Sequence, residues 1–112
     1  MPDRRYEDRV PMEMYLNAYF EDRPQRGFTA NLSESGLFLN SLSRASLPPL
    51  TPMGLELALP GIRDTIWAAG LLCYEEMDEY FHGTGVRFVG MARRHARILH
   101  DFLTRRRRLL RS

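Results

Sequence analysis

The sequence predicts an all-β fold with a C-terminal helix: a small six-stranded antiparallel β-barrel capped by one α-helix. Three observations predict it. Apolar and polar residues alternate in several short runs between Val10 and Val89. Clusters of Gly, Pro, Asn and Asp with turn composition separate those runs. From Met91 onward the apolar period lengthens to that of an amphipathic helix.

The 112 residues have room for one domain with one core. The expected division is a flexible arginine-bearing arm over 1–9, a barrel over 10–90 and a helix over 91–110. Hydrophobic residues at 44% and charged residues at 27% are ordinary for a soluble globular chain. No run reaches the roughly 18 apolar residues of a membrane span, and no segment reads as a signal peptide, so a cytoplasmic location is expected.

In the first strand Val10, Met12, Met14, Leu16, Ala18 and Phe20 share one parity, with Glu13 and Asn17 on the other. Pro11 suits a strand's first residues or an edge. Glu21 to Gly27 has turn composition. Phe28 to Ser33 is a second strand, with Phe28, Ala30 and Leu32 on one face, and Leu37-Phe38-Leu39 opens a third. Pro48, Pro49 and Pro52 make Ser41 to Pro52 a loop. Leu55, Leu57 and Leu59 face one way in the next strand, and Pro60-Gly61 turns the chain. Thr65 to Glu75 is a long apolar strand in which Gly70 predicts a bulge. Glu75 to Glu79 reads as an acidic, solvated loop, and Thr84 to Val89 as the last strand with Val86 and Phe88 inward. In the helix Met91, Ala92, His95, Ile98, Leu99, Phe102, Leu103, Leu109 and Leu110 form the apolar side, interrupted by Arg106.

The net charge is +2, yet all 16 cations are arginine. Arginine suits planar, bidentate recognition of phosphate and guanine, but codon bias gives the same composition. The single cysteine, Cys73, excludes an intrachain disulfide and a cysteine-rich zinc site. Its apolar neighbours predict a buried, inert thiol. His82 (in a loop), His95 (on the apolar helix face) and His100 form no metal or catalytic pattern, so neither an enzyme nor a metal or cofactor site is expected. Arg105 to Arg108 read as solvated cations at a helix C-terminus, and Leu109 and Leu110 as a small apolar contact outside the barrel.

Two motifs carry chemistry. Asn31 and Ser33, two residues apart, are expected on one face of a strand end, and Gly36 lets the backbone turn left-handed or come close to a ligand. Asn, Ser and Gly are also common turn residues. Arg5 and Arg9, at most roughly 14 Å apart in an extended segment, can hold a ligand from two points. About two such RxxxR pairs arise by chance in a chain with this much arginine, so neither motif decides alone.

Together, Arg5-Tyr6-Glu7-Asp8-Arg9 and Asn31-Leu32-Ser33-Glu34-Ser35-Gly36 resemble the RxxxR and (D/N)xSxxG motifs of the PilZ domain family. Arg9-Val10-Pro11, Leu37-Phe38-Leu39 and Gly85-Val86-Arg87-Phe88 extend the resemblance over about Arg4 to Leu103. It implies a bacterial, PilZ-like barrel that binds cyclic di-GMP through Arg5, Arg9, Asn31, Ser33 and Gly36, with Arg4 as a possible auxiliary phosphate contact. It also implies signalling to a separate effector protein in motility, surface attachment or exopolysaccharide control, by a monomer or weak dimer. Glu7 and Asp8 would repel phosphate and lower affinity. The alternative is a PilZ-like interaction scaffold whose function does not require nucleotide. Nucleic acid is not expected as a partner, given the near-neutral charge and no aromatic stacking row on the barrel face.

Overall fold

The computed structural model describes residues 9–41, 48–77 and 82–111. Among the described residues, seven strands precede one helix: β1 (Val10–Pro11), β2 (Tyr15–Phe20), β3 (Arg23–Leu32), β4 (Gly36–Ser41), β5 (Pro52–Leu57), β6 (Ile66–Met77), β7 (His82–Met91) and α1 (Arg93–Arg111). Going round the sheet, β3, β2, β5, β6, β7 and β4 pair in turn, and β4 pairs back onto β3. The result is a closed six-stranded antiparallel barrel, with β1 as an added strand on β3. Closure leaves the six strands without a bare edge.

The expected first strand is β1 and β2 together. Both pair with β3, and Met12–Met14 leaves the ladder between them. Thr29 on β3 fills that gap. It is fully buried, its hydroxyl donates to the Met12 carbonyl at 2.6 Å, and it accepts from the Met14 amide at 3.1 Å. The inward parity of Val10, Met12, Met14, Leu16 and Ala18 survives the interruption.

On β3 the expected parity does not hold. Gly27 and Thr29 face the core, Ala30 is exposed, and Phe28 packs outside against the Tyr15 ring. The pairing with β4 shifts between Thr29 and Asn31, leaving Ala30 with no residue opposite. This bulge reverses the alternation, so Leu32 points inward and Asn31 outward. The expected Glu21–Gly27 turn is also shorter. Only Glu21 and Asp22 form it, both at positive φ (50° and 63°), as a two-residue hairpin of primed-turn type demands.

The β6–β7 pairing shifts beside Gly70, but the extra residue is Val89 on β7, so the expected bulge falls on the partner strand; a side chain at Gly70 would press on Val86 at 2.7 Å. A second irregularity sits between Leu72 and Tyr74. It leaves Cys73 without a partner on β7 and turns Tyr74 outward; Cys73 itself follows the alternation of buried Ala68 and Leu72 to the outer face, so the thiol is exposed and not buried. β6 and β7 run on to the pair Met77↔His82. Glu75, Glu76 and the His82 backbone therefore belong to strands and not to loops; Asp78 and Glu79 lie outside the described residues. Likewise β4 extends through Ser41 and β5 begins at Pro52.

The core consists of the inward aliphatics of every strand, including Leu32, Leu37, Leu55, Leu57, Ile66 and Leu72. α1 adds Leu99, Phe102 and Leu103, each buried. Burying Leu99 and Leu103 stabilises the helix on the barrel by about 1.5–3 kcal/mol each. His95 was expected to pack; its Nδ1 instead accepts from the Trp67 amide at 3.1 Å, tying the helix start to β6. Leu109 and Leu110 remain exposed.

Candidate functional site

The loop from Asn31 to Gly36 joins β3 to β4. Ser33 organises it. Its amide donates to the Gly36 carbonyl at 2.9 Å, and its hydroxyl accepts from the Ser35 amide at 3.1 Å. The same oxygen lies 3.0 Å from the Ser35 hydroxyl and 3.3 Å from the Gly36 carbonyl. A serine that bonds its own backbone two residues on makes a compact turn. Ser33 is 2% exposed. It therefore does not share an outward face with Asn31, because the chain leaves β3 at Leu32 and folds the hydroxyl inside.

Gly36 has a structural reason of its own. It does not take the left-handed conformation; among the described glycines only Gly61 does. A side chain at Gly36 would run into the Val86 carbonyl oxygen and lie 3.2 Å from the Arg87 Cα. β4 can approach β7 only with glycine there. Ser35 supports the same junction, its carbonyl accepting from the Phe88 amide at 2.8 Å.

Asn31 sits on the outer surface, opposite Pro11 of β1 on one side and Phe38 of β4 on the other. Its Oδ1 is buried and has no hydrogen-bond partner among the described residues. Val10 pairs with Leu32, so the half-buried Arg9 enters the fold level with Ser33. The structure thus brings Arg9, Asn31, Ser33 and Gly36 into one corner of the barrel. Arg4, Arg5, Glu7 and Asp8 lie outside the described residues.

The sequence missed two features of this corner. The first is Glu34, held from α1 by Arg107, whose Nη2 and Nη1 donate to its two carboxylate oxygens at 2.6 and 3.1 Å. His100 Nδ1 stands 3.5 Å from the same carboxylate. Burial pushes the Glu34 carboxyl up, but the bonds and charge of Arg107, with the His100 bond, outweigh it and hold the carboxyl below the usual range. Arg107 is therefore no solvated cation, and Arg106 lies over the Phe102 ring at 5.3 Å. Only contacts 73 residues apart reveal this role, so no local spacing announces it.

The second is aromatic. Phe38 and Tyr74 pack with ring centroids 6.0 Å apart, and the Tyr74 ring occupies the space that a side chain at Gly85 would need. Elsewhere Tyr15 meets Phe28 and Arg26, and Tyr19 meets Trp67 at 6.0 Å. The barrel face therefore does carry aromatic neighbours, contrary to expectation. They form across strands, which alternation along a single strand does not show.

Another charged cluster lies elsewhere. Asp64, Arg93, Arg94, Arg97, Ile98 and Asp101 line an open groove in which Arg94 pairs with Asp64 at 3.2 Å. Arg107 lies thirteen positions beyond Arg94, about 20 Å along α1. Among the described residues no three imidazole, thiol or carboxylate groups could together hold a metal ion, and no helix is long and apolar enough to cross a membrane.

Comparison with known proteins supports the same reading of the fold. The solved structure of Bacillus subtilis Inhibitor of motility (MotI/DgrA) superposes with a TM-score of 0.83 at 16% sequence identity. The match covers 93% of this chain and 51% of that one, so this chain spans about half its length. No curated protein matches in sequence. The PilZ domain family model matches residues 3–105, a span that takes in both motifs, every strand and most of α1. With the motif turn, the barrel and the helix all in their places, the chain belongs to the PilZ domain family.

Proposed function

We propose that this chain is a cyclic di-GMP receptor that works by binding and passes the nucleotide signal to a separate effector protein. The observation that carries this reading is the corner itself. A turn closed by Ser33 and Gly36 sets Asn31 on the surface beside the point where Arg9 enters. Guanine offers O6 and N7 to an arginine fork, and the two phosphates of the ligand accept the same fork. Arg5 and Arg9 supply the forks, Asn31 a base contact, Ser33 and Gly36 the frame, and Arg4 an auxiliary phosphate contact.

Ligand contacts made only when the arginine-bearing segment lies against the barrel would shift the population toward that state. Effectors in motility, surface attachment or exopolysaccharide control fit the family, and the likeness in fold to an inhibitor of motility favours the first. We place the receptor in the cytoplasm, where this nucleotide is made and read, as a monomer or weak dimer. Calorimetry with cyclic di-GMP tests the reading. Binding is expected to weaken at least tenfold in Arg5→Ala and in Arg9→Ala, since a lost charge-assisted bond is worth about 1.5–3 kcal/mol. No heat of binding at tens of micromolar would leave the nucleotide-independent scaffold as the better account.

A further inference from the structure

The Phe38–Tyr74 pair is not explained by the fold. Both rings point away from the core: their inward neighbours are Leu37, Leu39 and Leu72, all buried, while Tyr74 is 40% exposed. They are also aligned with the motif. Pro11 pairs with Asn31, Asn31 with Phe38, Phe38 with Gly85, and Gly85 with Tyr74. These pairings make one row across the outside of the barrel. Gly85 stands between Phe38 and Tyr74 and has no side chain, so the Tyr74 ring takes the space that one would fill. The two rings, tilted by 33° to each other, make a nearly continuous apolar floor with the Asn31 amide at its edge. Directly opposed residues of paired strands stand roughly 5 Å apart, so the amide and the floor can touch one flat ligand at once.

We propose that Phe38 and Tyr74 form a stacking floor for one guanine base, with Asn31 reading that base from the side. The proposal rests on the cyclic di-GMP reading above and names where a base lies. Two features select a purine over an apolar protein surface. Asn31 Oδ1 is an acceptor with no partner among the described residues, and such a group costs free energy until a donor reaches it. Guanine carries donors, the N2 amino group among them, on the edge that would face it. Asn31 as a residue is half-exposed, so a turn of its side chain brings the amide to that edge. The second feature is position. The floor begins where β1 delivers Arg9, so an arginine can take O6 and N7 of the base that the floor supports.

The test is calorimetry with cyclic di-GMP on the full chain. Stacking on an aromatic side chain is worth about 5- to 150-fold in affinity per base. Phe38→Ala and Tyr74→Ala are each expected to weaken binding by that much, whereas Tyr74→Phe, which keeps the ring, stays within twofold of wild type. Tyr74 is exposed, so its variants carry the test if Phe38→Ala melts early. A direct readout comes from Tyr74→Trp in a Trp67→Phe background, whose indole emission is expected to change as the base stacks. If wild type binds while both alanine variants bind within twofold of it, the floor is overturned and the nucleotide reading stands. If wild type itself does not bind, the nucleotide reading falls, and the floor with it.

Discussion

Thr29 shows how one hydroxyl can hold a strand together. Met12–Met14 steps out of the ladder, and the Met14 amide and Met12 carbonyl would face the core unpaired without the Thr29 side chain between them. Thr29→Val keeps the shape and removes both bonds, leaving two buried backbone groups unsatisfied. It is expected to lower stability by about 1–3 kcal/mol, read from the denaturant midpoint; a change of only a few tenths would show that water reaches the gap. The same stretch marks the limit of the sequence at this scale. The motif residues Asn31, Ser33 and Gly36 are legible, but their orientations are not. Asn31 faces outward only because Ala30 is bulged, and Ser33 faces inward because the strand ends one residue earlier. Cys73 is exposed for a simpler reason: it alternates with buried Ala68 and Leu72, and a run of apolar letters does not show which parity faces the core.

Between elements, the motif loop is fastened to the helix by Glu34 and Arg107. Both side chains keep some contact with solvent, so the pair is worth about 1 kcal/mol or less. Its consequence is directional. The Glu34 carboxyl is held below its ordinary value of 4.5, so the folded state favours the carboxylate. That contribution is complete above the unfolded value and is lost as pH falls through the lower, folded one. Melting temperature measured between neutral pH and about pH 3 should therefore fall less steeply in Glu34→Gln than in wild type, after a small loss at neutral pH. Parallel curves would remove Glu34 from the acid response. The helix itself was legible from its period, and its buried stripe of Leu99, Phe102 and Leu103 falls where that period placed it. The strap was not, because a run of four arginines looks alike in sequence whether one of them is paired or all are solvated.

For the whole molecule, a closed barrel with its end sealed by a helix makes a specific demand on unfolding. Each barrel strand pairs on both sides, so no strand can leave without breaking two ladders. The helix contributes Leu99 and Leu103 to the same apolar cluster as Leu32 and Leu57, and so cannot undock without opening that cluster to water. Barrel and helix should then unfold as one cooperative unit. The chain carries its own reporter: Trp67, its only tryptophan, sits on β6 against Tyr19 with its amide bonded to His95 of α1. Trp67 fluorescence therefore reads the barrel, while far-ultraviolet circular dichroism is weighted towards the helix. The two denaturant curves are expected to coincide, and Leu103→Ala should shift both together, by about 2–5 kcal/mol. A dichroism transition that precedes the fluorescence transition would instead make α1 a separately docking segment. In that case its Arg107 strap on the motif loop would be a contact the protein can release while the barrel stays folded.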